Sequence, residues 1–223
     1  MRSILSVGLP AAGEHLAWQS QLMMILGFIN MIGPQALSAH VYVFNISAYY
    51  MAISTAIGMG TEILVGHMVG AGEYKAAYHR LLRSLRISIA LTAGIVGIAA
   101  IFRSHLMDGF TDDTEIITMG AGILLLSILL EPGRVFNIVI INSLRAAGDA
   151  RFPVMMGVFS MWGVCVPLAY YLGVHLDYGL LGVWIAFTVD EWTRGLIMLA
   201  RWKSGVWRRK SLVRPGTVQV LEA

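Results

Sequence analysis

Residues 114–153 constrain the fold most, because this stretch places an acid and a base inside one long apolar run. About 20 apolar residues suffice for a helix to cross a bilayer, so Glu131 and Arg134 are predicted to lie near the bilayer midplane. Three residues apart on a helix, they share a face and can pair. Pro132, between them, lacks a backbone donor and is predicted to kink the helix. Ionisable groups cost roughly 2.5–3.5 kcal/mol at that depth on an insertion scale, so their presence indicates a functional site.

The composition indicates an integral membrane protein. The chain is 57% hydrophobic and only 13% charged, whereas soluble domains average about 25% charged residues. A single cysteine, Cys165, excludes a disulfide framework and a cysteine-rich zinc site. His40 and His67 are expected at helix–helix or interfacial positions, since no second ligand stands at metal spacing. No nucleophile–base arrangement is present either, so we expect no metal, no cofactor and no enzymatic activity.

Six apolar segments predict an all-α, polytopic membrane protein with six transmembrane helices in one lobe, residues 1–207. The segments are 4–32, 36–70, 74–103, 113–147, 151–173 and 179–203. The tail, 208–223, contains Pro and Gly and has no apolar face, which predicts a disordered cytosolic segment. The turns at 71–73 and 147–149 each contain a glycine predicted to end a helix and an acid, Glu73 or Asp149, predicted to cap the next one.

The distribution of basic residues predicts the orientation in the membrane. Of the 16 Lys and Arg residues, thirteen fall in the segments on the side that holds both termini, and only Arg103 falls on the opposite side. The positive-inside rule then places both termini in the cytoplasm. Topology and contact with lipid headgroups account for the net charge of +3, so nucleic acid is not an expected partner.

Acids outnumber bases within the predicted spans. The ionisable residues at membrane depth are Glu14, Glu62, Glu131, Asp190 and Glu191, with Arg134 and Arg194. Even if both bases pair, three carboxylates remain, and these must face water, bind a cation or hold a proton. A proton-coupled or cation-binding transporter requires such an excess.

Glu14, Trp18 and Gln21 share one face of the first helix. An acid, an aromatic ring and an amide on one stripe are predicted to line a cavity for an amphiphilic cation. The alternative for Glu14 is a hydrogen bond between helices, which holds transmembrane helices together without a transport role.

The remaining intramembrane charges form two candidate pairs. Glu131 and Arg134 are equally compatible with a protonation-dependent switch and with a permanent structural pair, since buried pairs are weak evidence for either. Asp190 and Arg194, four residues apart on the last helix, favour a structural ion pair.

Short motifs along the chain resemble the multidrug and toxic compound extrusion (MATE) transporters. They comprise 8–10 with Glu14, 39–40 with 45–47, 58–60 leading to 65–67 and 70–72, 144–151, and Trp162, Pro167, Tyr170 and 182–184 with Asp190 and Arg194. The turn at 144–151 is similar to the family's L-R-G-A-G-D-T-R sequence. His67 departs from the pattern, because the family usually has Gln there.

The resemblance implies an antiporter of the bacterial inner membrane that exports organic cations, drugs or amphiphilic metabolites in exchange for protons or sodium. MATE transporters have twelve spans in two six-span lobes around a central cavity, so this chain resembles one lobe, the C-terminal half, with a second six-helix lobe as partner. Sodium-coupled members carry carboxylates in the first and fourth helices of this lobe, which Glu14 and Glu131 match most nearly. Arg134 would compete with a bound cation at Glu131, which favours protons. Asn45 is a further candidate for the cavity wall.

Two other functions remain open from the sequence. A flippase for lipid-linked substrates would need a basic cavity, whereas these spans are net acidic. A non-transporting, truncated half of a transporter would fold as six helices but leave the charged cavity wall facing lipid.

Overall fold

The structure, a computed structural model, describes residues 2–210, with side chains from Gly13 onward. These residues are almost entirely helical. The helices are α1 (Arg2–Ile32), α2 (Pro34–Gly70), α3 (Tyr74–Ile101), the short α4 (Arg103–Asp108), α5 (Thr114–Ala146), α6 (Arg151–His175) and α7 (Gly179–Lys203), followed by a 3₁₀ turn, Val206–Arg209. No strand occurs within residues 2–210. The predicted all-α fold is confirmed.

The six long helices begin and end within two residues of the predicted span limits. The clearest difference follows α3, which ends at Ile101 and is succeeded by the separate helix α4. Four helices, α2, α3, α5 and α6, are long and apolar enough to cross a bilayer. For α1 and α7, a membrane-spanning role stays a prediction.

Helix α5 is the centre of the bundle, packed against α2, α3 and α7. Its apolar neighbours form two separate clusters. Along α5, the first cluster ends at Leu130 and the second begins at Val135. Along α7, the first ends at Phe187 and the second begins at Trp192. The intervening layer holds Glu131 and Arg134 of α5 and Asp190 and Glu191 of α7, so these four charged residues lie between two apolar cores.

Trp192 of α7 joins α5 beside this charged layer. Helix α5 continues through Pro132. One turn earlier, the carbonyl of Leu129 accepts a hydrogen bond from the indole Nε1 of Trp192 at 2.9 Å. Gly133 permits this approach, because a Cβ there would lie 2.6 Å from that nitrogen. The small residue thus provides the space for a hydrogen bond between two helices.

Helix α6 changes its hydrogen-bond pattern twice. Met161–Cys165 and Tyr171–His175 are π-helical, and the N–H of Val166 donates to the carbonyl of Met161. Pro167, two residues after the first π turn, has no N–H to donate one turn back, and such interruptions are accommodated by altered helical turns. Met161 reaches the cavity described below.

Asp149, in the turn between α5 and α6, does not have its predicted role as a helix cap. Gly148 adopts φ +89°, which ends α5 as expected. Asp149, however, does not cap α6. Its buried carboxylate accepts hydrogen bonds from Arg201 Nε at 2.7 Å and Lys210 Nζ at 2.8 Å. The predicted cap is wrong because the end of α7 supplies charged donors, which make stronger hydrogen bonds than backbone N–H groups. Glu73 likewise makes no side-chain cap to α3.

The packed structure extends past the predicted lobe boundary at residue 207. The ring of Trp207 stacks on Trp202 with centroids 4.2 Å apart, and its Nε1 donates to the carbonyl of Trp202 at 2.9 Å. Lys210 is held by Asp149. Residues 211–223 of the predicted disordered tail lie outside the described residues.

Replacing Asp149 with asparagine is expected to destabilise the lobe by about 1.5 kcal/mol at neutral pH, the value of a charge-assisted hydrogen bond. Burial disfavours the ionised carboxylate, but the hydrogen bonds and charges of Arg201 and Lys210 outweigh it, so the pKa of Asp149 lies below its ordinary value of 3.8. Stabilisation from a lowered pKa is present above the ordinary value and is lost as the pH falls through the folded-state pKa.

The thermal unfolding midpoints of wild type and Asp149→Asn, followed by tryptophan fluorescence in detergent, should therefore differ at neutral pH and converge on the acidic side of 3.8. A difference of constant size down to about pH 3 would contradict this assignment of the ionised pair.

Candidate functional site

A cavity of about 450 Å³ opens between α1, α2, α5 and α7, with Met161 of α6 at its edge. This volume is within the usual range for small-molecule sites, roughly 300–1,000 Å³. The wall combines aromatic rings with charged groups. The aromatic residues are Trp18, Phe44, Trp184 and Phe187, and the acids and arginines are Glu14, Asp190, Glu191, Arg134, Arg145 and Arg194.

Helix α5 contributes one continuous stripe to this wall. Arg134, Asn137, Ile141 and Arg145 all line the cavity. Their spacing of i, i+3, i+7 and i+11 keeps side chains on one face of a helix. Arg145 therefore belongs to the cavity and not only to the turn that follows α5.

Five ionisable side chains of α5 and α7 form a network beside the cavity. Arg134 Nη1 lies 2.9 Å from Glu131 Oε1, and Arg134 Nε lies 3.6 Å from Glu191 Oε1. Arg194 Nη2 lies 3.2 Å from Glu191 and 2.7 Å from Asp190. Three carboxylates thus share two guanidinium groups. With all five groups ionised, the network has one surplus negative charge.

Neutral side chains complete this network. Asn137 Nδ2 donates to Glu191 Oε2 at 2.8 Å, and Ser160 Oγ donates to Asp190 Oδ1 at 2.5 Å. Asn137 Oδ1 and Arg194 Nε are buried with no hydrogen-bond partner among the described residues. Buried polar atoms without partners are costly, so these two atoms are candidate contacts for a bound molecule.

A separate ion pair connects α1 to α5 at the cavity. Arg145 Nη2 lies 2.5 Å from Glu14 Oε2. From the sequence, three intramembrane carboxylates are expected to have no base, and this pair reduces the number to two. One is the surplus charge of the network. The other is Glu62, which lies on α2 away from the cavity wall. The count was wrong because it assigned Arg145 to the cytosolic turn.

The structure brings most of the sequence-predicted site residues together. Glu14, Trp18, Gln21 and Arg134 line the cavity, and Glu131 lies fully buried against Arg134. Asp190 and Arg194 are paired within the network and also line the cavity.

Asn45 is not brought to the cavity. Its side chain is exposed and its Nδ2 donates to the Val41 carbonyl of its own helix at 2.9 Å. The residues of α2 that face the cavity are Phe44, Ser47, Ala48 and Met51. Position 45 is one residue off this i, i+3, i+4, i+7 stripe, and one residue turns a helix by about 100°.

Sequence reasoning missed Arg145, Asn137 and Asn142 as wall residues. Their helical spacing from Arg134 was the available signal. His40 packs between helices as expected, with its Nδ1 accepting a hydrogen bond from Trp184 Nε1 at 3.2 Å. Among the described residues, no group of three His, Cys, Asp or Glu side chains is placed to hold a metal.

Long apolar helices around a cavity lined with buried charges are typical of polytopic membrane proteins, and secondary transporters place their binding sites in such cavities. Residues 10–171 match the MatE family model, and the chain belongs to this family. The resemblance found in the sequence motifs is thereby confirmed.

The relatives of this chain include transporters about twice its length. It is 44% identical over 212 residues to the "Uncharacterized transporter YisQ" of Bacillus subtilis, covering 95% of this chain and 47% of the relative. It is 28% identical over 191 residues to the "Multidrug resistance protein NorM" of Burkholderia vietnamiensis, covering 82% of this chain and 41% of the relative. The chain spans about half the length of the curated relatives it matches.

Solved structures show the same fold. A MOP superfamily transporter from Pyrococcus furiosus aligns with a TM-score of 0.83 at 20% identity, over 94% of this chain and 46% of the transporter. An outward-facing multidrug resistance MATE family transporter aligns with a TM-score of 0.82 at 20% identity, with the same coverage. The described helices therefore correspond to about half of a MATE transporter.

Proposed function

We propose that this chain forms one lobe of a secondary transporter that exports organic cations or amphiphilic compounds in exchange for protons. Membership of the MatE family and similarity to a protein named for multidrug resistance support this function. The observation that carries the proposal is the charged network beside the cavity, where three carboxylates share two guanidinium groups.

The surplus charge provides a basis for exchange. An uncompensated carboxylate is costly away from bulk water, so the network gains free energy by binding either a proton or a cationic group from the cavity. The two compete for one negative charge, and competition for one site couples their binding with opposite sign. A proton adds to a single carboxylate oxygen, whereas a sodium ion would have to displace Arg134 or Arg194 from the carboxylates they contact. This difference supports protons as the coupling ion.

The proposal includes a second six-helix lobe that faces the cavity, with both termini in the cytoplasm and the helices in the bacterial inner membrane. Large apolar side chains are exposed on the long helices, among them Met23, Tyr49, Ile98 and Phe159. Such a surface requires cover by lipid or by protein. This chain aligns with about half the length of each relative, which supports a second lobe that packs against part of this apolar surface.

Efflux of a fluorescent organic cation such as ethidium from proteoliposomes, under an imposed pH gradient, tests this function. Glu191→Gln removes the surplus negative charge of the network and is expected to lower the gradient-driven rate about tenfold, since a charge-assisted contact is worth about 1.5–3 kcal/mol. Glu62→Gln is the matched control, because it neutralises an acid of α2 away from the cavity wall, and it should transport at the wild-type rate.

Three outcomes would contradict the proposal. Efflux that ignores the pH gradient but follows a sodium gradient would contradict proton coupling. Equal rates for Glu191→Gln and Glu62→Gln would remove the surplus charge of the network from the mechanism. Absence of gradient-dependent efflux, both alone and with a second lobe, would favour a non-transporting half. The cavity wall pairs three carboxylates with three arginines, which does not support the basic cavity expected of a flippase.

A further inference from the structure

Arg145 differs from the other two arginines of the cavity in how firmly it is held. Arg134 and Arg194 each contact two carboxylates, and their side chains are only 13% and 12% exposed. Among the described side chains, Glu14 is the one carboxylate that Arg145 contacts, and Arg145 is 35% exposed. A guanidinium with one partner and access to water loses less on leaving that partner than one held by two buried carboxylates. Arg145 is therefore the most easily displaced cation of the site.

Glu14 is suited to accept another cation in its place. The described part of α1 packs mainly against α2, α6 and α7, and the ion pair with Arg145 connects it to α5. The Glu14 side chain is 18% exposed and lines the cavity. Its Oε1 faces Gly157 of α6, where even a Cβ would lie at an ordinary contact distance of 3.7 Å. The carboxylate is thus accessible from the cavity and not enclosed by bulky neighbours on that side.

Aromatic side chains next to Glu14 favour an organic cation. Trp18 lies one turn further along α1, with its ring centroid 5.9 Å from that of His15, and Phe44 faces the same cavity from α2. A cation beside a carboxylate and an indole face gains both ion pairing and cation–π attraction. Arg145 occupies this carboxylate in the structure.

We propose that Arg145 is a tethered competitor for Glu14: an organic cation must displace its guanidinium from the carboxylate in order to bind. This inference rests on the proposed function and assigns Arg145 a role in setting affinity for cationic substrates. Without Arg145, the network and Glu14 together would contain four carboxylates (Glu14, Glu131, Asp190 and Glu191) and two guanidinium groups. Removing Arg145 should therefore strengthen cation binding, although it removes a wall residue.

The test measures binding of tetraphenylphosphonium to the purified full chain in detergent, by equilibrium dialysis. Arg145→Gln is expected to bind it about fivefold more tightly than wild type, since a partly exposed ion pair contributes up to about 1 kcal/mol. Arg145→Lys keeps the competing charge and should stay within about twofold of wild type. Arg83→Gln, an exposed arginine of α3, is the matched control and should leave the affinity unchanged.

A double-mutant cycle separates competition from a change in shape. In the Glu14→Gln background, Arg145→Gln should no longer increase the affinity, because the contested carboxylate is absent. Equal or weaker binding by a folded Arg145→Gln chain, judged by its elution volume, would overturn the inference while wild-type binding kept the proposed function intact. If neither wild type nor Arg145→Gln binds the cation, both the inference and the proposed cation site fail.

Discussion

Arg134→Met is expected to lower the free energy of unfolding by about 3–5 kcal/mol, because it leaves a buried carboxylate without its cation. Arg134 Nη1 lies 2.9 and 3.1 Å from the two oxygens of Glu131, whose side chain is 0% exposed. Methionine keeps a long unbranched stem and a high helix propensity, so most of the effect comes from the lost charge. Glu191 also loses one of its two arginine contacts.

The measurement is the thermal midpoint of the purified chain in detergent. The readout is the fraction of protein that still elutes as a folded species after heating. Adding Glu131→Gln to Arg134→Met should restore most of the stability, because the unpaired charge is then removed. Arg86→Met, at an exposed position of α3, is the control for loss of one arginine and should leave the midpoint unchanged. A wild-type midpoint for Arg134→Met would mean that Glu131 does not depend on this pair for its burial.

Gly182→Ala is expected to cost about 3 kcal/mol, the upper part of the range for overpacked cores. A Cβ at this position of α7 would lie 2.7 Å from both the carbonyl carbon and the oxygen of Leu172 and 2.8 Å from the Gly173 nitrogen. These are backbone atoms of α6, which cannot rotate away as a side chain can. The two helices would therefore have to separate at this contact.

Gly94→Ala is the matched control for this substitution. Gly94 lies on α3 with no atom within 4 Å of the added Cβ, and alanine is favoured over glycine in a helix by about 1 kcal/mol. The same thermal assay should therefore show a large loss for Gly182→Ala and no loss for Gly94→Ala. Similar midpoints for the two variants would refute the close backbone contact between α6 and α7.

Much of the fold could be predicted because a helix in an apolar environment satisfies its own backbone hydrogen bonds. Length and apolarity of a segment then determine where a helix lies, and glycine or proline determines where it stops. Gly72 and Gly148, both with positive φ, end their helices as predicted. Candidate site residues such as Glu14 and Glu131 were equally visible, since an acid inside an apolar run is costly wherever the run packs.

The ion pairs between helices could not be predicted, because they depend on which helix faces meet. The pairs within α5 and within α7 follow from i, i+3 and i, i+4 spacing and were predictable. Asp149 carries no local sign that it binds Arg201 and Lys210 instead of capping α6. Asn45 has the polarity of a wall residue, but the rotation of α2 turns it away from the cavity.

The sequence by itself determined the membrane class, the helix positions and the presence of buried charges, because these depend on local composition. The tertiary structure decided that Arg145 of α5 neutralises Glu14 of α1 and that Arg134 of α5 also contacts Glu191 of α7. Those pairings arise only when α1, α5 and α7 come together, since ion pairs form over a few ångströms between residues that are up to 131 positions apart in the chain.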